Sequence, residues 1–294
     1  MRALVLGCCG FIGQNLVKGL LKRGYDVIGL DDLSFGKRES IPKEVKFYLH
    51  DVNYRIDIDE DIDVVYYFAG PSSVILFNKD PFNCVRTTLM GMANAIDLAR
   101  RKKAKLIYPS SGNIYGNGDT FVEWLSAEPN NLYGLCKKIC EKMAKNAKDV
   151  KSIGFRIFAG YGPEESHKGG ISSAVTLFLN DMKEGKQPTI WGDGTQRRDF
   201  IYGEDIADAL IEANEKELKY SVYNLGTGLS YSFNDIIAIL NNILGTNIEA
   251  LYIPKPKIYV ENTTADITRF GTEFETKPRE LGAGLEDYIK FINT

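Results

Sequence analysis

The sequence predicts an α/β protein: a doubly wound parallel sheet followed by a smaller, loop-rich carboxyl-terminal substrate lobe. Three observations carry that expectation. Short apolar runs alternate with amphipathic stretches of helical length through the first half of the chain. Three glycines sit where the first of those runs gives way to a helix. Past about residue 160 the alternation loosens into Gly/Pro-punctuated segments. Strands that alternate with helices put their crossovers on the sheet faces, which makes the strands parallel and buries both sides. At 294 residues the chain can bury a large core as one big domain or two coupled ones.

The strands are expected at residues 3–7 (ALVLG), 26–31 (DVIGLD), 45–52 (VKFYLHDV), 63–70 (DVVYYFAG), 105–111 (KLIYPSS) and 152–158 (SIGFRIF). After the first, Phe11, Ile12, Leu16, Leu20 and Leu21 recur at helical spacing. A helix is expected from Pro81 to Leu98, and the basic run RRKKAK at 100–105 suits its carboxyl end and a solvated turn. Another helix spans NNLYGLCKKICEKMAKNAK, with Asn130 or Asn131 available as its cap. Beyond it GYGPEES, EGKQPTIWGDGTQ and LYIPKPK read as loop punctuation in a lobe at the carboxyl edge of the sheet.

Composition excludes several classes of function. Net charge is −3, from 36 basic against 39 acidic residues, so no global field recruits nucleic acid. No apolar stretch reaches the length of a membrane span. The five cysteines (8, 9, 84, 136 and 140) form no disulfide framework and the first residues do not read as a signal peptide, so the cytoplasm is the expected compartment. Cys136 and Cys140 lie four apart on a helix, but the two histidines, His50 and His167, are distant in sequence; these are expected as core thiols, with no metal.

The opening glycines have separate uses. Gly7 permits a tight turn, Gly10 lets backbone approach a pyrophosphate, and Gly13 lets the helix pack closely on the strand. The helix that begins at Phe11 turns its free N–H groups and positive dipole end toward that phosphate. Asp31 ends the second strand about 20 residues later, where a carboxylate accepts hydrogen bonds from an adenosine ribose. A phosphate on that ribose would be repelled, so NAD is expected over NADP, although Lys37 and Arg38 follow closely. Residues 1–158 are therefore expected to form a Rossmann-type NAD-binding domain, to which segments near 199–226 return, and 159–294 mainly the substrate lobe.

Of the 16 tyrosines only Tyr133 has a lysine four residues on, Lys137. On a helix that spacing puts phenol and ammonium on one face, and an ammonium beside a phenol favours the phenolate, a general base for a sugar hydroxyl. Ser110 and Ser111 fall at a strand end, where ligands of parallel sheets collect, and a serine there can bind the same substrate oxygen.

Taken together these segments resemble the extended short-chain dehydrogenase/reductase family, in particular its NAD-dependent sugar-nucleotide epimerase/dehydratase group, over nearly the whole chain. GCCGFIG resembles the family's GxxGxxG, LDDLSFG its D-N-L-S-x-G turn, HDV its Asp-Val pair beside the adenine, and YYFAG its H-L-A-A strand end. PSSGNIYG, YGLCK and FRIFAGYGP resemble S-S-x-x-x-Y-G, YxxxK and R-x-F-N-x-Y-G-P; TIWGDGTQRRDFIYGEDIADAL and YNLGTG resemble the nucleotide-sugar region. The resemblance implies catalysis by Ser111, Tyr133 and Lys137. It implies that NAD is held by Gly7, Gly10, Phe11, Ile12, Gly13, Asp31, Asp32, Leu33, Ser34, Gly36, Asp51, Val52, Phe68, Ala69, Gly70 and Ser110, together with Tyr133 and Lys137. Thr88, Ser111, Phe158, Ala159, Trp191 and Arg198 would hold a nucleotide-diphosphate sugar, with Arg198 rather than Arg197 on the diphosphate, where a guanidinium gives bidentate recognition.

Three positions depart from the pattern. Ala159 and Thr88 stand where the family carries asparagines, and its late arginine has no counterpart beyond the nearby Lys255 and Lys257. Relatives that eliminate water carry an Asp-Glu pair after the Ser111 position, and decarboxylating relatives a glutamate there; here those places hold Gly112 and Asn113. The reading that remains is epimerisation at C4 through a transient keto sugar. A keto-sugar reductase using the same residues is the nearest alternative, and a non-catalytic NAD-sensing protein a further one. The resemblance also implies a homodimer through the Pro81–Leu98 helix and the Tyr133 helix.

Overall fold

The computed structural model describes residues 1–117, 121–125, 127–255 and 261–293. Strands β1 (Arg2–Leu6), β2 (Asp26–Asp31), β3 (Lys46–Leu49), β4 (Val64–Tyr67), β5 (Lys105–Ser111) and β6 (Ser152–Ile157) alternate with helices α1 (Phe11–Lys22), α2 (Val74–Lys79), α3 (Pro81–Lys102) and α4 (Leu132–Asn146). The second half adds β7 (Ala159–Tyr161), α5 (Ala174–Lys183), β8 (Thr189–Trp191), β9 (Arg197–Arg198), β10 (Phe200–Tyr202), α6 (Gly203–Glu215) and β11 (Val222–Leu225). It closes with β12 (Tyr231–Ser232), α7 (Phe233–Leu244), β13 (Leu251–Ile253), β14 (Asn262–Thr263), α8 (Thr268–Glu273) and α9 (Leu281–Ile292).

Seven strands form one parallel sheet in the order β11–β6–β5–β4–β1–β2–β3. One face is covered by α1 and α6, whose Leu16, Val17, Leu20, Ile206 and Leu210 pack with Ala3 and Val5. The other is covered by α3 and α4, with Met92, Ala95, Cys140 and Ala144 against Leu4, Leu6 and Leu106. Burial on both faces explains why these strands read as apolar runs rather than alternating ones. The chain winds outward in opposite directions from β1 and β4, so a crevice opens at their carboxyl ends.

The expected helix from Pro81 runs on to Lys102. Asp80 caps its start by accepting from the Asn83 N–H at 3.2 Å, and left-handed Lys103 (φ 54°) ends it, with Arg100, Arg101 and Lys102 in the last turn. The expected strands at 45–52 and 63–70 shorten to β3 and β4. β11 is less visible in sequence: after four strands outside the sheet and two helices, the chain returns and pairs with β6 from Val222↔Gly154 to Leu225↔Ile157. The lobe has its own core of Tyr161, Phe178, Leu179, Phe200, Phe233, Leu240 and Leu285, edged by the small pairings β10–β7, β13–β8 and β12–β9–β14. Among the described residues no helix is long and apolar enough to cross a membrane.

The turn after β1 is the tightest part of the fold. Gly7 has φ +83°, and a Cβ there would lie 2.5 Å from the Ala69 nitrogen. A Cβ at Gly13 would lie 2.0 Å from the Gly7 carbonyl oxygen and 2.8 Å from Cys8 Cα. Both neighbours are backbone, so neither can swing aside. Gly13→Ala is expected to cost about 3 kcal/mol in a denaturant melt, at the upper end of overpacking penalties. Gly271→Ala, where an added Cβ meets nothing within 4 Å, should leave the midpoint unchanged or raise it; equal melts for the two variants would contradict the packing argument.

Candidate active site

The crevice widens into a cleft of about 710 Å³ between the sheet and the lobe. Its sheet wall begins at the glycine turn. Gly10 starts α1 with no side chain capping it, so the first N–H groups of the helix stay open toward the cleft, which Gly10, Phe11, Ile12 and Gly13 line. Phe68, Ala69 and Gly70 continue that wall from the end of β4.

Asp31, Asp32, Leu33, Ser34, Gly36, Asp51 and Val52 stand outside the cleft lining, around the ends of β2 and β3. Asp31 accepts from the N–H of Cys9 and of Leu33, both at 2.9 Å, and burial holds its carboxyl above the usual range. Asp32 accepts from the Ser34 N–H (2.9 Å) and hydroxyl (2.6 Å). A Cβ at Gly36 would meet Cys9, so this loop rests on the glycine turn. Asp51 shapes the next turn by accepting from Asn53, and Val52 is buried in the core. Arg38 is spent locally: it donates to the carbonyls of Ile41, Pro42, Lys43 and Val45 and lies over the Phe47 ring at 5.1 Å. Lys37 is exposed. Among the described residues Asp31 has no free guanidinium beside it, an environment that fits NAD and disfavours a ribose phosphate. Cys8, Cys9 and Asp31 bring three donor atoms within 4.8 Å of one another, yet both Asp31 oxygens are already occupied by backbone N–H groups.

On the floor, Ser111 ends β5 and its hydroxyl oxygen accepts from the Asn113 N–H and side-chain amide, both at 3.2 Å. Asn131 caps α4 by accepting from the Gly134 N–H at 2.9 Å, which fixes the first turn carrying Tyr133. The Tyr133 ring packs on Phe77 with centroids 5.4 Å apart, and Lys137 Nζ lies 5.8 Å from the Tyr133 ring centroid. Both side chains are buried. Ser110 lines the cleft too, but its hydroxyl donates to Glu141 at 2.5 Å instead of facing the space.

From the lobe come Phe158, Ala159, Trp191 and Arg198. Arg198 lines the cleft, whereas Arg197 turns to Ser230 and Asp235. Asp199 anchors this strand: fully buried, it accepts from the Thr227 N–H and hydroxyl, the Gly228 N–H and the Ala265 N–H at 2.8 to 3.1 Å, and burial raises its pKa. Lys255 pairs with Glu261; Lys257 lies outside the described residues.

One expectation is corrected. Thr88 does not line the cleft; it faces inward on α3, 2% exposed, and its backbone carbonyl accepts from the Tyr67 hydroxyl at 3.1 Å. The helix turns that position into the core. Sequence reasoning also missed the segment 164–171. Glu164, left-handed at φ 73°, pairs with Lys18 of α1. Glu165 is fully buried and accepts from Lys168 (2.7 Å) and from the hydroxyls of Ser173 and Thr176 at the start of α5. Lys168 Nζ sits 4.2 Å from the Phe11 ring centroid. His167, held below its usual pKa chiefly by burial, is near enough to Asp31 for their charges to interact. In sequence only the Gly/Pro punctuation of GYGPEES marked this crossing.

A glycine turn at a helix N-terminus, a carboxylate at the end of β2 and a Ser/Tyr/Lys set on the floor of the crevice are the arrangement of a dinucleotide-dependent enzyme scaffold of the short-chain dehydrogenase type. The chain belongs to the NAD dependent epimerase/dehydratase family, which it matches over residues 3–226. It is 30% identical, over 93% of its length and 94% of the relative's, to the putative UDP-glucose 4-epimerase of Methanocaldococcus jannaschii. Among solved structures it resembles the UDP-glucose 4-epimerase of Thermotoga maritima with UDP-glucose (28% identity, TM-score 0.92, covering 100% of this chain and 99% of that one). It also resembles the UDP-glucuronic acid 4-epimerase of Bacillus cereus in complex with UDP-glucuronic acid and NAD (29%, TM-score 0.85, 99% and 100%).

Asp31→Ala is expected to deplete NAD from the purified protein, because the variant keeps the phosphate turn but loses the ribose acceptor. Extraction and enzymatic quantification of NAD and NADP reads this directly; undiminished NAD, or NADP in its place, would contradict the assignment.

Proposed function

We propose that the protein is an NAD-dependent epimerase of UDP-sugars, acting at C4 through a transient keto sugar. The observation that carries this reading is the composition of the cleft floor. Ser111, Tyr133 and Lys137 are present together, while Gly112 and Asn113 offer no acid or base for eliminating water. The one carboxylate among the described lining residues, Glu165, has both oxygens engaged. Among the described lining residues no unengaged carboxylate is left to drive elimination from a keto sugar.

In this mechanism Tyr133 takes the proton from the C4 hydroxyl and Ser111 stays hydrogen-bonded to the same oxygen. Lys137, with its Nζ 5.8 Å from the Tyr133 ring centroid, sets a positive charge beside that phenol. The glycine turn and Asp31 hold NAD, which when bound supplies the hydride acceptor and returns the hydride. Arg198 meets the diphosphate with its guanidinium fork. Phe158, Ala159 and Trp191 leave room for the sugar to turn, and Ala159 offers no side-chain hydrogen bond to restrain it. Residues 159–294 form most of the sugar-nucleotide lobe in this reading, and 1–158 with the returning 199–226 the NAD-binding domain.

The test needs no added cofactor. Purified protein is expected to release NAD(H) on denaturation and to interconvert UDP-glucose with UDP-galactose, or the corresponding UDP-N-acetylhexosamine or UDP-uronic acid pair, unaided. Tyr133→Phe should lose roughly 100-fold or more of that turnover while retaining its NAD. Stoichiometric NADPH consumption by a keto sugar nucleotide, without cofactor-free epimerisation, would replace this reading with a reductase.

We infer further that the protein is a cytoplasmic homodimer. Its five cysteines are free and buried, in keeping with a reducing compartment. Phe82 and Met90 on α3 and Leu132 and Leu135 on α4 are 37% to 73% exposed on helices that pack side by side. Pairing with a copy would bury them in a four-helix interface. Light scattering should find a dimer, and Phe82→Glu combined with Met90→Glu a monomer; a monomeric parent protein would overturn the inference.

A further inference from the structure

Below the cleft floor lies a buried polar network that the chemistry above does not use. Glu141 follows Tyr133 by eight residues and Lys137 by four, so all three share one face of α4. Its Oε1 accepts from the Ser110 hydroxyl at 2.5 Å and from Arg156 Nε at 2.9 Å; its Oε2 accepts from Arg156 Nη2 at 2.9 Å. The guanidinium, 7% exposed, then reaches across the sheet: Nη1 donates to the Tyr115 hydroxyl at 2.8 Å, and Tyr115 donates to Asn224 Oδ1 at 2.7 Å. The Asn224 N–H donates to Glu123 at 2.8 Å. Helix α4, β5, β6 and β11 are thus tied to one fork of charge.

We propose that Arg156 is a positioning residue for the Tyr133–Lys137 pair, acting through Glu141: it neutralises the carboxylate on their helix face and fastens that face to the end of β5. The proposal rests on the reading of Tyr133 as the base. A carboxylate one helical turn from an ammonium competes for it, at an energy that grows as water is excluded. The bidentate guanidinium closes both Glu141 oxygens and leaves Lys137 to Tyr133.

The other titratable neighbours do not disturb this balance. On α4 and α3, burial pushes up the thiols of Cys136, Cys140 (to about 11) and Cys84; on β5 it pushes up the Tyr108 hydroxyl, so all four are neutral. From α2 only the apolar Phe77 packs on the Tyr133 ring. Among the described residues the charges tied into this network are Lys137, Glu141, Arg156 and, beyond Arg156, Glu123, whose Oε1 takes the Asn224 N–H. Burial pushes the Tyr115 hydroxyl up to about 12, and His167, Lys168 and Arg198 enter the same cleft from the lobe.

The titration uses NAD-loaded protein and needs no substrate; a turnover assay of Tyr133→Phe accompanies it. Phenolate absorbance near the ultraviolet edge is titrated for each protein and for the same protein carrying Tyr133→Phe; the difference isolates Tyr133. Arg156→Gln, which leaves Glu141 without its cation, should move the midpoint up by roughly one pH unit. Glu141→Gln, which leaves the cation, should move it down, and the double variant should return it close to the parent value. Arg156→Lys keeps the charge and should hold the parent midpoint even if it melts earlier. A merely structural role would lower melting temperatures without opposite displacements, and midpoints that stay put or move together in soluble, folded single variants would overturn the proposal. No Tyr133 signal in the parent, with Tyr133→Phe still fully active, would instead remove the reading of Tyr133 on which it stands.

Discussion

A buried carboxylate ties the two halves of this molecule together. Asp199 is inaccessible to water, and dehydrating a carboxylate costs several kcal/mol. Four donors from Thr227, Gly228 and Ala265 offset that cost. Those donors belong to the turn after β11 and to the segment after β14, while Asp199 itself lies between β9 and β10. The knot therefore joins the edge of the large sheet to the strand that carries Arg198. Gly226 enforces the closeness, since a Cβ there would lie 2.6 Å from the Asp199 carboxylate. With this join in place, the lobe faces the carboxyl ends of the sheet strands and the cleft exists between them.

What the sequence made legible was whatever is decided locally. A parallel strand buried on both faces needs a continuous apolar run, and six of the seven strands of the sheet announced themselves that way. The glycine turn was equally plain, because backbone contacts at Gly7 and Gly13 admit no side chain. The i,i+4 pairing of Tyr133 with Lys137 needed only a helix, and Asn131 supplied its cap.

The rest depended on contacts distant in sequence. β11 is four residues long and is held in the sheet by pairing with a strand 68 positions earlier. Glu165 looked like a loop carboxylate but is buried against Ser173 and Thr176. Arg38 looked available for a ribose phosphate until its donors were traced to four carbonyls of its own loop. Thr88 failed differently: its place in the chain matched a family position, but the rotation of α3 directs it inward, where its hydroxyl has no protein partner. Resemblance gave the position, and only the packing of the helix gave the direction.

The crossing segment at 164–171 ties the lobe back to the first helix. Glu164 is fastened to α1 by Lys18, while Lys168 lies on the ring of Phe11, so chain from the lobe reaches over the mouth of the dinucleotide crevice. Lys18 and Phe11 both belong to α1, so the helix that opens the glycine turn is also the anchor of the lobe's first loop. A change in one of these side chains is therefore felt on both walls of the cleft at once.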